Sequence, residues 1–383
     1  MRKSWIALTA LFLCSAVAAS FLYLYRQTFF QDERSGTVRA AARMTTLRSA
    51  HTATRLVDGR ILITGGMESA EGDEVNTATA ELYDPATNSF QTTGVMTRPR
   101  AGQTATLLHS GDVLITGGFD KGVALNSAEI YHAATGDFRA TGSMSAKRDR
   151  HTATLLKDGR VLVVGGTTNL GTETNRSAEV YDPGTGQFTS VRPMTSSRSA
   201  HAATRLEDGS VLITGGSSNR FDTVLSTAER YDPDRQAFFA VSPMTAARHK
   251  HGATLLQDGR VLISGGSYDA SRMGGRLSSA EIYDPASQTF KTTGKMTKAR
   301  FKMTTSVIAI PAGKVVIGGD GDYVEVYDPV SETFSTASGS VDGAWMYATA
   351  TALDDGSVFI TGGYNENMEI TAGAWIYRPA TWQ

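Results

Sequence analysis

The sequence repeats one pattern seven times, and this repetition constrains the fold more than any other feature. The copy at residues 248–266 reads RHKHGATLLQDGRVLISGG: an alternating apolar run reaches Asp258-Gly259, and a β-rich run then ends at Gly265-Gly266. The pattern predicts a β-hairpin whose Asp-Gly pair forms a two-residue primed turn, since such turns need positive φ. The double glycine predicts a bulge or a close approach of two backbones.

A second signature follows each double glycine and completes the repeat unit. It reads Glu-x-Tyr-Asp-Pro in most copies, and in six copies a phenylalanine follows the tyrosine by seven residues. We expect a third and a fourth strand joined at the Asp-Pro turn, because proline presets φ for a turn and cannot serve a central ladder. Successive double glycines lie 44 to 53 residues apart: Gly65-Gly66, Gly117-Gly118, Gly165-Gly166, Gly215-Gly216, Gly265-Gly266, Gly318-Gly319 and Gly362-Gly363.

Seven units with this motif set and a period close to 50 resemble the kelch-type β-propeller. The resemblance covers residues 37–383 and implies one all-β domain, a ring of seven blades with four antiparallel strands each. The seventh unit lacks a fourth strand, whereas residues 37–43 read as a fourth strand with no unit before them. We therefore expect this N-terminal strand to close the last blade, which removes an unpaired edge.

The first 26 residues differ in character from the repeats. Trp5 to Tyr25 is an uncharged apolar run that follows Arg2-Lys3, and it is long enough to span a bilayer. We expect residues 1–26 to form a membrane anchor and residues 27–36 a tether, with the propeller in the periplasm or at the cell surface. The alternative is a signal peptide cleaved near Ala16-Val17-Ala18, which would release a secreted protein.

Overall charge and cysteine content narrow the set of partners. The 383 residues include 37 basic and 38 acidic side chains, so nothing favours nucleic acid as a ligand. The single cysteine, Cys14, lies in the apolar run, and the propeller is therefore expected to hold no disulfide. We expect a monomer that needs no cofactor.

An arginine precedes the first strand in six units, and Trp345 replaces it in the seventh. One interpretation is a ring that binds an anion such as a carboxylate-bearing sugar, with Arg148, Arg198 and Arg248 as candidates. The other is a set of buried pairs with the third-strand glutamate, which is present in the same six units and is replaced by Trp375 in the seventh. The shared loss favours buried pairs, because an unpaired buried charge is costly.

Three residues after each arginine position, four units carry a histidine: His51, His151, His201 and His251. The other units have Gln103, Met303 and Ala348 there. A metal needs three or four ligands that converge on one point, and a ring of positions from different blades seldom provides them. We therefore expect structural hydrogen bonding at the channel mouth and no metal, and we keep His151, His201 and His251 as candidate ligand contacts.

The loops after the double glycines vary in length and are predicted to share one face of the ring, whereas the opposite face has short turns. Variable loops on a regular scaffold are where ligand sites usually lie. The loops mix acids, bases, amides and tyrosines, which suits a neutral glycan or a protein. The candidate ligand residues on this face are Tyr268, Asp320, Asp322, Trp345 and Tyr364.

The sequence favours a binding or scaffold module for a protein or glycan over an enzyme. Kelch propellers also include galactose oxidase, whose copper site uses a cysteine cross-linked to a tyrosine, and the absence of cysteine from this propeller argues against that chemistry. They include as well a bacterial sialic-acid mutarotase. An enzyme of that carbohydrate-active kind, mutarotase- or lyase-like, with an arginine and an acid in the funnel, is the alternative function, and the atypical sixth and seventh units are the place to look for it.

Overall fold

The computed structural model describes residues 35–69, 75–168, 173–218, 223–269, 274–343 and 345–380. These residues form seven four-stranded antiparallel sheets, which are the predicted blades. The apolar run Trp5 to Tyr25 lies outside the described residues. Within the described residues, no helix has the length and apolar character needed to cross a membrane.

The blades follow one another in chain order. Their strands, in sequence order within each blade, are Thr52–Arg55, Ile61–Thr64, Ala80–Asp84 and Ser89–Thr92 in blade 1; Thr104–Leu107, Val113–Thr116, Ala128–His132 and Asp137–Ala140 in blade 2; Thr152–Leu155, Val161–Val164, Ala178–Asp182 and Gln187–Val191 in blade 3; and Ala202–Arg205, Val211–Thr214, Ala228–Asp232 and Ala237–Val241 in blade 4. Blade 5 has Gly252–Leu255, Val261–Ser264, Ala280–Asp284 and Thr289–Thr292; blade 6 has Val307–Ala309, Val315–Ile317, Glu325–Asp328 and Thr333–Thr336; and blade 7 has Thr349–Ala352, Val358–Thr361 and Ala374–Arg378.

The ring closes as predicted. Thr37–Ala40 is the outermost strand of blade 7 and pairs antiparallel with Ala374–Arg378, with Val38 opposite Tyr377. Regular pairing ends at Ala40, three residues earlier than the sequence suggested, although the Met44 amide still donates to the Ala372 carbonyl (2.9 Å). The N-terminal strand thus pairs with the last strand of the propeller within one blade, which ties the two ends of the propeller together.

The core lies between neighbouring blades, because the second strand of each blade is buried on both faces. Leu62 packs towards blade 2, in a cluster with Val113 and Ile115, whereas Ile61 and Ile63 pack towards blade 7. This two-sided burial explains why the second strands read as continuous apolar runs. The predicted Tyr and Phe positions are cross-strand partners in blades 1 to 6, with ring centroids 4.7 to 5.0 Å apart.

The turn after the first strand differs from the prediction. In blade 1 the Leu56 amide donates to the Arg60 carbonyl, and the Gly59 amide donates to the Leu56 carbonyl, so the loop has three residues. Gly59 has a φ of 87°, while the Asp58 side chain accepts a hydrogen bond from the Arg60 amide (3.0 Å). The two-residue primed turn is therefore wrong: aspartate caps the turn, and only the glycine adopts positive φ.

The double glycines are sites of close backbone approach, as predicted. Gly66 has a φ of 105°, and its amide donates to the Arg100 carbonyl of the next blade (2.9 Å). A Cβ at Gly66 would lie 2.8 Å from the Ser49 carbonyl oxygen. Outside blade 6, each pair therefore joins one blade to the next through main-chain contacts that a side chain would block.

Blade 6 requires a correction of one residue. The amide that donates to the next blade there belongs to Asp320, which has a φ of 52° and bonds to the Trp345 carbonyl (3.0 Å). Arg300 correspondingly donates to the Gly319 carbonyl. Gly319 and Asp320 are thus the structural counterparts of the double glycine, and the predicted assignment to Gly318-Gly319 is wrong.

Candidate functional site

The six repeated arginines form buried ion pairs with the third-strand glutamates of their own blades. In blade 4, Arg198 Nη2 lies 2.8 Å from Glu229 Oε1, and Nη1 donates to the carbonyls of Gly215 and Thr227. The arginine side chains are 0% exposed. The pairs are Arg48–Glu81, Arg100–Glu129, Arg148–Glu179, Arg198–Glu229, Arg248–Glu281 and Arg300–Glu325.

This geometry confirms the structural interpretation. Arg148, Arg198 and Arg248 present no surface to a ligand, so we leave them out of the candidate site. In blade 7 the rings of Trp345 and Trp375 stack with centroids 6.2 Å apart in place of the ion pair, and the Trp345 indole donates to the Val341 carbonyl (2.7 Å). Trp345 therefore also has a packing role.

The repeated histidines are buried contacts between blades. His151 Nε2 lies 3.0 Å from the Thr116 hydroxyl of blade 2, and His201 Nε2 lies 2.9 Å from the Thr152 hydroxyl of blade 3. Burial, reinforced by the nearby Arg148, lowers the pKa of His151 to about 3, so this ring is neutral at physiological pH. His51 and His251 make equivalent threonine contacts.

Each of these histidines also packs over the first glycine of the preceding double glycine. A Cβ at Gly165 would lie 2.9 Å from His201 Cε1, and one at Gly215 would lie 3.0 Å from His251 Cε1. The main-chain carbonyl of the next repeated arginine would lie closer still to each Cβ, so the glycine is required whether or not a histidine covers it. Across the described residues, no three His, Cys, Asp or Glu side chains cluster in a way that could hold a metal ion.

Seven equivalent residues, one from each unit, form a ring at the mouth of the central channel. Each lies two positions after the repeated arginine position and one position before the repeated histidine position. All seven members have a positive φ between 50° and 62°: Ala50, Gly102, Arg150, Ala200, Lys250, Lys302 and Tyr347. Main-chain hydrogen bonds join neighbours, as from the Ala200 amide to the Arg150 carbonyl (2.9 Å) and from the Lys250 amide to the Ala200 carbonyl (2.8 Å). We call this set the mouth ring.

The mouth ring opens onto a cavity of about 300 Å³ inside the channel. Its walls are the first strands of the blades, which supply mainly threonine and alanine, and Arg150, Lys250 and Tyr347 line its entrance. Sequence reasoning missed Arg150 and Lys250 because they occupy the variable position between two repeated ones. The signal available in the sequence was the variability of this one position within an otherwise regular stretch of the repeat.

A second cluster joins the loops of blades 5, 6 and 7 on the same face. Arg276 places Nη1 3.4 Å from Asp320 Oδ1 and Nη2 3.0 Å from Glu366 Oε1, and its guanidinium lies 4.9 Å from the ring centre of Phe301. We call Arg276, Asp320, Glu366 and Phe301 the loop clamp. The sequence did not indicate it, because its members come from three different units.

Asp320 is a buried acid of this face whose pKa is raised. It is 0% exposed and accepts a hydrogen bond from the Phe301 amide (2.7 Å). Burial raises its pKa to about 6, against the opposing effects of that hydrogen bond and of the nearby Arg276, Arg300 and Lys302. A carboxyl group with such a pKa can exchange a proton near neutral pH.

Lys302 lies beside the loop clamp in an aromatic environment. Its Nζ donates to the Tyr364 hydroxyl (2.6 Å) and lies 4.5 Å and 4.8 Å from the ring centres of Phe301 and Tyr364. Tyr347 stands 6.0 Å from Tyr364, centroid to centroid. The two predicted residues Asp320 and Tyr364 are therefore brought into one region.

The other two predicted residues of the loop face are exposed. Tyr268 is 61% exposed, and Asp322 is exposed with its carboxylate 3.6 Å from Lys298 Nζ. Tyr268 thus offers an accessible aromatic surface, whereas the carboxylate of Asp322 has a local partner.

Comparisons with known proteins agree with this architecture. The family model of the KLHDC2/KLHL20/DRC7 Kelch-repeats domain matches residues 50–266, which is more than half of the chain. No curated protein matched the sequence. Among solved structures, the propeller is similar to a novel fungal alcohol oxidase of the AA5 family, in complex with copper, with a TM-score of 0.71 and 17% identity over 90% of this chain and 76% of that chain. At this identity the similarity shows the fold alone.

Proposed function

Because the chain belongs to the family of Kelch-repeat propellers, we propose that it is a binding or scaffold module for a protein or glycan that acts through its loop face. Kelch propellers commonly serve as protein-interaction scaffolds. We further propose that an N-terminal anchor holds it at a membrane, outside the cytoplasm. The apolar run from Trp5 to Tyr25 supports this second part.

The loop clamp is the observation that carries the proposal. The Arg276 guanidinium is shared by two carboxylates and an aromatic ring from neighbouring blades, and its side chain is only 17% exposed. Such contacts fix three loops relative to one another before any ligand arrives, which lowers the entropic cost of binding. The exposed Tyr268 ring lies on the same blade 5 loop as Arg276 and supplies the type of anchor that binding surfaces use.

Site-specific photo-crosslinking of the full chain in cells tests this proposal. A photoreactive amino acid at Tyr268 reports on the loop face, and one at Val330, which is 94% exposed on the opposite face, is the matched control. We expect a discrete cross-linked partner from position 268, lost in the Arg276→Gln variant, and none from position 330. Equal cross-linking from both positions would contradict loop-face binding.

The membrane part needs its own test. We expect the full chain to sediment with membranes, to resist carbonate extraction and to be digested by protease added from the outer side. A chain recovered entirely in the soluble fraction would refute the anchor while leaving the binding proposal intact.

A carbohydrate-active enzyme is the second candidate, and Asp320 is the observation that favours it. A buried carboxyl with a pKa of about 6, flanked by Arg276 and Lys302, has the properties of a general acid or base. The test is anomer exchange of reducing sugars followed by NMR. Catalysis requires acceleration by the native protein and its loss in Asp320→Asn, and equal rates with both proteins would remove this candidate.

A further inference from the structure

We propose that the propeller lies with its turn face against the membrane, so that Val57 and Val330 contact the lipid headgroups and the loop face points away. The turn face is the side of the ring that carries the turns between first and second strands and between third and fourth strands. The inference rests on the proposed N-terminal anchor and names the protein surface that meets the lipid, which the anchor alone leaves open.

The chain enters the propeller from the turn face. In blade 7, Ala374 lies opposite Thr361 at the loop side, and the third strand ends with Arg378 at the turn side. Thr37, the first residue of the N-terminal strand, lies opposite Arg378. The segment that leads to the proposed anchor therefore leaves on the side opposite the loop clamp.

The entry point is fixed on the propeller and held near the membrane. The Tyr377 hydroxyl donates to the Ser35 carbonyl (2.8 Å), and the Ser338 amide donates to the Gly36 carbonyl (2.9 Å). Residues 26–34 separate Ser35 from the apolar run that ends at Tyr25, and a chain of that length spans at most about 30 Å when fully extended. To bring the loop face to the bilayer, this short segment would have to pass the full height of blade 7, whereas the turn face reaches the bilayer directly.

Exposed apolar side chains break the repeat on either side of the entry point. Val330 in blade 6 (94% exposed) and Val57 in blade 1 (78% exposed) are the two most exposed large hydrophobic residues of the described chain, and both lie in turns of this face. Blade 7, which receives the N-terminal strand, packs between these two blades. At the Val57 position the other six units carry polar residues or proline, and at the Val330 position they carry alanine, glycine or aspartate. The blade itself therefore does not require valine at either position.

The contact depends on the anchor more than on lipid charge. Asp58, next to the first valine, pairs with Arg60 (2.6 Å), and Asp328, two residues before Val330, pairs with Lys314 (3.8 Å). Because these acids have basic partners, we expect zwitterionic headgroups to suffice. Two valines bury little apolar area, so their own membrane affinity is low. The anchor makes the contact intramolecular and thereby raises its effective concentration.

Headgroup quenching in phosphatidylcholine vesicles tests this orientation with the full chain. Cys14→Ser removes the single cysteine, and a fluorophore is then attached at Val330→Cys, at Val57→Cys or, on the loop face, at Tyr268→Cys. A spin label on the lipid headgroup should quench the fluorophore at positions 330 and 57 and leave it unchanged at position 268.

Flotation of the chain with the vesicles separates the orientation from the anchor. A floating chain in which position 268 is quenched as strongly as position 330, or in which no position is quenched, would overturn the orientation alone. A chain that does not float would refute the anchor and this inference with it.

Variants test the part that the two valines play. With the fluorophore at Ala86→Cys, an exposed position in a blade 1 turn, the double variant Val57→Asp with Val330→Asp should lose quenching, because carboxylates resist transfer out of water. The matched control is Val75→Asp with Val95→Asp, which adds the same charge at loop-side positions that are 48% and 59% exposed, and it should be quenched like the native chain. Equal quenching of both double variants would exclude the valines from the contact. Photo-crosslinking from position 330 still yields no protein partner, because lipid faces it.

Discussion

Removal of one charge from a buried Arg–Glu pair should cost a large part of the stability of this propeller. We choose Glu229→Gln, which preserves the size of the side chain. Glu229 is 1% exposed, lies 2.8 Å from Arg198 and accepts hydrogen bonds from the amides of Thr195 (2.8 Å) and Ser196 (3.3 Å). The substitution leaves the Arg198 charge buried and uncompensated, and a broken buried pair costs about 3 to 5 kcal/mol.

Urea unfolding followed by tryptophan fluorescence measures this effect. With a slope of about 3 kcal/mol per molar urea, the midpoint should fall by about 1 to 1.7 M. The matched control is Asp137→Asn, whose partner Arg139 lies 2.9 Å away in an ion pair with both side chains exposed, and its midpoint should not change.

The double variant Arg198→Met with Glu229→Gln separates the charge effect from the lost packing. It removes the stranded cation, so it should cost less than the sum of the two single variants. Two results would refute the argument that these pairs are retained because neither charge can be lost alone. One is a urea midpoint for Glu229→Gln equal to that of Asp137→Asn. The other is a loss of stability in the double variant equal to the sum of the two single losses.

Three further predictions follow from the repeat. In thermal unfolding, Gly216→Ala should destabilise the fold far more than Gly356→Ala. Both glycines have positive φ, but a Cβ would lie 2.8 Å from a carbonyl oxygen at Gly216, whereas it would meet nothing within 4 Å at Gly356. Equal losses of stability would argue against the close approach at Gly216. Burial lowers the pKa of His51 from 6.5 to about 3, so the stability that its neutral form contributes is fully present above pH 6.5 and is lost as the pH falls towards 3. The His51→Gln variant should therefore lose less stability than the native chain between pH 7 and pH 4. An unchanged dependence of stability on pH would contradict this prediction. In urea titrations, Trp345→Arg and Trp375→Glu should each destabilise blade 7, whereas the double variant should recover part of the lost stability. A loss in the double variant equal to the sum of the two single losses would show that blade 7 cannot adopt the Arg–Glu geometry of the other blades.

The sequence predicted the parts of the fold that each unit encodes locally. Strand number, closure by the N-terminal strand and the buried pairs all followed from patterns repeated in register, and the joint absence of Arg and Glu from unit seven identified the pairing. The turn at Asp58-Gly59 was mistaken because an Asp-Gly pair fits both a two-residue primed turn and a three-residue loop with glycine at positive φ. Local sequence alone does not separate these geometries.

Blade 6 shows how a short sequence match can shift the register. Two adjacent glycines looked like the repeat signature, but in the other hairpins the first glycine of the pair lies six residues after the turn glycine. Counting from Gly313 reaches Gly319, which agrees with the Arg300 hydrogen bond to its carbonyl. The turn glycine was therefore a better reference than the double glycine itself.

The candidate site could not be predicted in the same way, because its contacts join units that are far apart in sequence. Arg276 meets Glu366 across 90 residues, and Lys302 donates to the Tyr364 hydroxyl across 62 residues. Neither pair has a fixed spacing or a repeated counterpart. The exposed Tyr268, and Asp320, Asp322 and Tyr364 in the atypical units, could be selected from the sequence.

The mouth ring is a set of equivalent positions at which the side chains differ from unit to unit while the backbone conformation stays the same. Its seven backbones are held by main-chain hydrogen bonds, so alanine, glycine, arginine, lysine and tyrosine occupy equivalent positions with φ between 50° and 62°. The buried pairs have the opposite constraint, because their side chains carry the stabilising contacts and change only together. The side chains of the mouth ring, among them Arg150, Lys250 and Tyr347, can therefore differ while the backbone beneath them stays the same.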